Sequence, residues 1–195
     1  MNPTPVVLYG EHIRLEPLDH RHASQLLEAA QHDDIWRYLP VPRPAHLAEM
    51  EELIDRAWKA AAEGSEIPFA IIEDGSDRAI GSTRFLEIRR HDRALEIGWS
   101  WLGTGWQRRP INTEAKFLLL RHAFEDLGAL RVQFKADSRN ERAQQSIERL
   151  GAVREGVIRS QHLVWDGVYR DTVYYSILAT EWPAVKTRLE GLLGR

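Results

Sequence analysis

The sequence predicts a mixed α/β fold, in one domain covering residues 1–195. Two features carry that prediction. Stretches with the two-residue alternation of strands are interspersed with stretches of helical spacing. The order is strand, helices, three strands, helix, strand, helix, two strands, helix, which reads as an antiparallel meander followed by a strand–helix–strand crossover.

The elements follow in order. Ile13 to Leu18 alternates apolar and polar residues as a strand that ends near Pro17. His20 to Gln31 has helical spacing (Ala23, Leu26, Leu27, Ala30), with Asp19 as its N-cap. Asp33 to Leu39 is a short helical turn that stops before Pro40, and a helix from Ala45 to Glu63 ends at Gly64. Pro68 to Glu73 and Ala79 to Arg89 are strands joined by Asp74-Gly75-Ser76-Asp77, and Ala94 to Leu102 is a third. Asn112 should cap a helix from Thr113 to Leu127, closed by Gly128. Arg131 to Asp137 is a strand, Asn140 to Leu150 a helix ended by Gly151, and Val153 to His162 a strand. Asp166-Gly167 is the strongest hairpin signal, leading into Val168 to Ile177, and a last helix runs from Glu181 to Leu192.

Composition narrows the function. At 43% hydrophobic and 28% charged residues the chain is globular, and seven Trp argue against disorder. A net charge of -3, with Arg89-Arg90 and Arg108-Arg109 as isolated basic pairs, argues against a nucleic-acid partner. No apolar run is long enough for a membrane span, and no secretory leader is seen, so a cytoplasmic protein is expected. Without cysteine there is no thiolate nucleophile, disulfide or thiolate metal site. The eight His lack metal-ligand spacing, and neither a nucleophile elbow nor a Walker loop occurs.

The stretch Leu95 to Ala115 runs strand, loop, helix N-terminus. Such a corner can aim several backbone N–H groups and the positive helix end at one point, which suits a pyrophosphate. A plain capped connection would read the same way. Glu96, the strand after it, Gln107 and the helix from Thr113 resemble the acetyl-CoA-binding core of the Gcn5-related N-acetyltransferase (GNAT) family, whose loop reads Gln/Arg-x-x-Gly-x-Gly/Ala. Asn140-Glu141-Arg142-Ala143 and Leu150-Gly151-Ala152 resemble the family's Asn-x-x-Ala/Ser and Leu-Gly-Phe motifs. Glu96-Ile97-Gly98-Trp99 and Glu155-Gly156 are closest to the RimJ/RimL branch.

The resemblance implies a central, mostly antiparallel sheet with a splayed parallel pair and flanking helices. It implies acetyl-CoA as co-substrate and no metal. Main-chain groups of Trp99, Ser100, Trp101 and Leu102 would hold pantetheine, and Gln107, Arg108, Arg109, Ile111, Asn112 and Thr113 the pyrophosphate. Asn140 would meet the pantetheine amides or the acceptor, or cap its helix, or do both. Glu96 would take the proton of an attacking amine, directly or through water, or else face solvent on an alternating strand or pair with a nearby arginine. Asp33, Asp34, Trp36, Tyr38, Trp165 and Tyr169 lie where the family binds its acceptor.

Four positions depart from the family pattern. Pro110 replaces the first loop glycine and offers no N–H, and Asn112 replaces Gly or Ala. Ile147 stands where many relatives place a tyrosine acid, and Ala143 where the RimL branch has a serine. Ser146, one helical turn from Ala143, is the candidate substitute. The reading is direct acetyl transfer to a primary amine, a protein N-terminal α-amine or a small molecule, with a possible homodimer. Its rivals are a CoA-binding module with little catalysis and an interaction protein that keeps only the fold.

Overall fold

A computed structural model describes all 195 residues. The strands form one eight-stranded sheet in the order β1-β2-β3-β4-β5-β6-β8-β7. These are β1 (Leu8–Tyr9), β2 (Ile13–Pro17), β3 (Ile67–Glu73), β4 (Arg78–Arg89), β5 (Ala94–Leu102), β6 (Arg131–Asp137), β7 (Val153–Leu163) and β8 (Tyr169–Leu178). Every neighbouring pair is antiparallel except β5–β6. The helices are α1 (Ala23–Ala29), α2 (Asp33–Trp36), α3 (Leu47–Ala62), α4 (Ile111–Arg121), α5 (Glu141–Leu150) and α6 (Trp182–Leu193).

The two faces of the sheet carry separate cores. Leu15, Phe69, Phe85, Leu95, Ile97, Val132 and Phe134 point toward α4, α5 and α6, meeting Leu118, Leu119, Ile147, Leu150 and Val185. On the opposite face α1 and α3 cover only part of the sheet, through Leu26, Trp36, Met50, Ile54, Ala70 and Ile72. Because strand side chains alternate, Glu96, Gln133, Lys135 and Asp137 fall on that partly covered face.

The expected strands β5 and β6 match residue for residue. Several helix starts and ends differ, among them the end of the first helix at Ala29, of the short turn at Trp36 and the start of α3 at Leu47. The first helix opens as a 3-10 turn, His20–His22, with the Asp19 carboxylate accepting from Arg21 N and His22 Nδ1 accepting from Asp19 N. The α4 helix starts at Ile111 with Pro110 in the cap position, so Asn112 is not the cap. Proline suits a helix start because its missing N–H would find no intrahelical partner there. The α-helical part of α4 ends at Arg121, and His122–Asp126 widens into a π turn before Gly128 (φ 64°). The pairing of Leu8–Tyr9 with β2 and a 3-10 turn at Thr104–Trp106 had no clear sequence signal.

Glu114 of α4 ties the N-terminal edge to the helix layer. Its carboxylate is fully buried and accepts from the amides of Glu11 (2.8 Å) and His12 (2.9 Å), while also pairing with Arg195. Truncation would leave two amides and a guanidinium without their anion. Glu114→Ala should cost about 3 kcal/mol of stability, read as a lower urea midpoint.

Candidate active site

The site begins where two parallel strands stop pairing. The β5 and β6 strands are in register at Ala94 with Arg131, Leu95 with Val132 and Glu96 with Gln133, and no further. Beyond Glu96, β5 stays with β4 while β6 stays with β8. One edge of β5, from Ile97 to Leu102, is therefore without a strand partner.

A bulge steers β5 away. Arg84 lies opposite Gly98, and Ser82 opposite Trp101, so Thr83 faces two residues, Trp99 and Ser100. Trp99 takes φ 50°, a conformation that a bulky side chain adopts only at a cost of order 1–3 kcal/mol. The Arg84 guanidinium sits 4.4 Å above its indole and bonds Glu66 at 2.9 Å, holding the bulge from the partly covered face. Gly98 leaves room for the acid beside it, since a Cβ there would come within 2.8 Å of Glu96 Oε1.

At the vertex of the splay, Glu96 is buried, 6% exposed. It pairs with Lys135 Nζ at 2.9 Å and accepts from Gln133 Nε2 at 3.2 Å. Burial pushes its carboxyl above the usual range, and Lys135 only partly opposes this. Burial also works against the Lys135 cation, but its bonds to Glu87 and Glu96 outweigh that and raise it. Of the expected alternatives for Glu96, the ion pair is present, and its cation is Lys135, not an arginine.

At the other end of the splay, the first turn of α4 carries free donors. The earliest intrahelical bond runs from Glu114 N to Pro110 O (2.9 Å), which leaves the N–H groups of Ile111, Asn112 and Thr113 aimed out of the helix. The Ile111 and Thr113 side chains are buried, so these two present only their main chain. Arg108, at φ 61°, and Arg109 stand exposed on the loop, with Arg109 3.8 Å from Glu73. Gln107 folds back onto Leu102 O (2.9 Å) and accepts from Arg142 (2.8 Å). Arg149 donates to Thr113 Oγ1 (2.8 Å). Amides at a helix start with four arginines around them suit a diphosphate, and Pro110 removes none of these three donors.

The structure places the remaining expected residues less uniformly. Asn140 caps α5, accepting from Ala143 N at 3.0 Å through its oxygen, and keeps its amide donors free. Ser146 is half-buried between α4 and α5 and accepts from Asn112 Nδ2 at 3.1 Å. Trp101 packs against Trp36, ring centroids 5.3 Å apart. Trp36 itself is 2% exposed, with its indole N–H on Ala30 O, and it lines a small pocket with Arg84, Trp99 and Trp101. Asp33 is exposed and paired with Arg43 at 2.6 Å, and Asp34 is also exposed. Tyr38 lies 5.9 Å from Arg139, which bonds the buried Asp137 at 2.7 Å. Trp165 and Tyr169 are exposed on the β7–β8 hairpin.

Sequence reasoning did not single out Arg84, Gln133, Lys135, Arg142 or Arg149. The alternation of Gln133 and Lys135 along β6 marked a polar face, but only the parallel register brings that face to Glu96.

Comparison with known proteins agrees with this architecture. Residues 12–153 match the model of the acetyltransferase (GNAT) domain. The Bacillus subtilis (strain 168) protein named "Putative ribosomal N-acetyltransferase YdaF" is 31% identical over 182 residues, covering 91% of this chain and 97% of that protein. A GCN5-related N-acetyltransferase from Brucella melitensis superposes with a TM-score of 0.92 at 31% identity, covering 98% of this chain and 86% of that one. Mycobacterium smegmatis RimJ, solved in complex with CoA-disulfide, shares the fold at a TM-score of 0.84 and 20% identity, covering 98% of this chain and 96% of that one. The chain therefore belongs to the GNAT family of N-acetyltransferases.

Proposed function

We propose that this protein transfers the acetyl group of acetyl-CoA to a primary amine, with the N-terminal α-amine of a ribosomal protein as acceptor, by direct attack in a ternary complex. The observation that carries this is the divergence of β5 from β6, with a free-amide turn at one end and a buried carboxylate at its vertex. The name of YdaF supports the ribosomal acceptor, and the CoA ligand of RimJ supports the donor. A cytoplasmic homodimer is part of the same reading.

The diphosphate would rest on the amides of Ile111, Asn112 and Thr113 with Arg108 and Arg109 beside it. Pantetheine would run along the open edge of β5 from Trp99 to Leu102, within reach of the free Asn140 amide. That places the thioester near the vertex, where backbone N–H groups of β5 would steady the oxyanion. The acceptor would enter from the other face of the sheet, past Tyr38, Trp165 and Tyr169, with Asp34 and Asp33 at the rim. An α-amine is mostly protonated at neutral pH, with a pKa of ~8. Glu96, made more basic by burial, would take that proton directly or through one water.

The direct test is thiol release from acetyl-CoA with peptides that carry ribosomal-protein N-termini, alongside a panel of small amines. Peptide-dependent release is expected. A thermal shift with CoA but no turnover on any amine would leave a binding module in its place. Glu96→Gln should lower kcat about 100-fold or more while leaving CoA affinity within about twofold. Lys135→Met should move the acid limb of kcat/KM to higher pH. The sign follows from the charges: without its cation, the buried carboxyl binds its proton more tightly and reaches the basic form later. An unmoved limb in Lys135→Met would separate Glu96 from the observed ionisation.

A further inference from the structure

One buried cation takes no part in this mechanism. Lys116 of α4 is 6% exposed and has no carboxylate within bonding distance. Its ammonium reaches up under the bulge, where it donates to Ser100 Oγ and lies 3.5 Å from Thr83 Oγ1. Thr83 and Ser100 share a hydrogen bond of 2.7 Å. On its own helix the nearest charged groups are satisfied elsewhere: Glu114 by Arg195 and two amides, and His122 by Asp126. Two hydroxyls, one from β4 and one from β5, are thus the polar groups that bond it.

Lysine is seldom buried unpaired, because a charged head loses its hydration there. Its target is informative. Ser100 is half-buried, stands on the β5 stretch that lacks a strand partner, and lies within the bulge itself. Because Lys116 donates to Ser100 Oγ, the hydroxyl proton of Ser100 is free to point elsewhere: to Thr83, to Gly98 O at 3.3 Å, or to a group in the cleft. At the same time the positions where the family resemblance expects an acid hold Ile147 and Ala143 here, and Ser146, which accepts only from the neutral amide of Asn112, has no cation behind it to replace a proton it gave up.

We propose that Ser100, backed by Lys116, protonates the departing thiolate, so that the pair forms the acid side of the transfer. The inference rests on the acetyl-transfer reading above. In the collapse of the tetrahedral intermediate the carbon–nitrogen bond is retained and the carbon–sulfur bond breaks, with sulfur keeping the electron pair. Ser100 gives its hydroxyl proton to sulfur and takes one from the Lys116 ammonium, which is left as a neutral amine. The amine's proton is by then on Glu96, so one proton is taken and one delivered. Solvent carries the difference back to Lys116 between turnovers. Ser100 is the catalytic group here, and Lys116 acts through it. Burial pushes the Lys116 ammonium down to about 7, which makes it a competent donor at neutral pH.

The test compares two donors: acetyl-CoA, whose alkyl thiolate benefits from a proton, and an aryl thioacetate, whose more acidic thiol leaves without one. Lys116→Met removes the charge while keeping an apolar stem in an apolar site, and Ser100→Ala gives a second, smaller change. With acetyl-CoA at saturation, both variants should lose about 10- to 100-fold in kcat. With the aryl donor the loss should be less than about twofold, a rescue that a purely structural role would not give. The wild-type kcat should also fall above about pH 7 as Lys116 deprotonates, and Lys116→Met should lack that alkaline limb. Equal losses with both donors, or undiminished turnover of acetyl-CoA, would overturn the relay while leaving the transferase intact. A wild type that turns over neither donor with any amine would overturn both readings.

Discussion

The structure depends on a refusal to pair. Two parallel strands joined by a crossover helix would normally continue their ladder, since every unpaired backbone group away from water costs free energy. Here the ladder stops after three residue pairs, while each strand keeps its partner on the outer side, β5 with two breaks in register and β6 throughout. The opened edge of β5 is therefore an array of donors and acceptors held rigidly by its other neighbour. An extended ligand with amide groups of its own can complete that ladder, as an added strand would. The bulge at Trp99 and Ser100 turns this edge away from β6, and the strained Trp99 backbone is held by the guanidinium of Arg84.

The same divergence sorts the chemistry by face. On the side of α4 and α5, the helix start and Arg108, Arg109, Arg142 and Arg149 make a cationic mouth. On the other side, carboxylates and cations interleave: Glu96 with Lys135, Glu87 with Lys135, Asp137 with Arg139. Glu96 stands at the last paired residue, where the two faces come closest. Its burial and its single close cation pull its proton affinity in opposite directions, and burial prevails. A carboxylate in that balance is basic enough to accept a proton and still near enough to Lys135 to stay oriented.

Much of this was legible in the residues, and the parts that were not share a cause. The β5 and β6 segments have strong alternation bounded by turn residues, so their ends could be read to the residue. Asp166-Gly167 likewise announced its hairpin, with Gly167 at φ 82°. Asn112 misled because a good capping side chain next to a helix resembles a start, while Pro110, two residues earlier, was read as a broken glycine motif. The burial of Trp36 was not legible because a four-residue helix has too few positions for its buried face to show a period. Lys135, Arg84 and Lys116 were silent for a different reason. Each looks like an ordinary surface cation along the chain, and only the tertiary arrangement, strand pairing for Lys135 and Arg84 and packing of α4 on the sheet for Lys116, brings it to its partners.

That last group bears on how such a site can be kept. Arg84 Nε is buried without a partner and Lys116 is buried without a carboxylate, both beside the same bulge. Each is a cost that folding alone would remove, since an apolar residue of similar volume would pack there without losing hydration. The two cations approach β4 and β5 from opposite faces, Arg84 over Trp99 and Lys116 under Ser100, and so grip the two bulge residues of β5 between them. Backbone strain, an unpartnered Nε on Arg84 and a lysine without a carboxylate are tolerated together at one turn of strand because they hold the same few atoms. Those atoms are the ones that keep β5 from closing on β6.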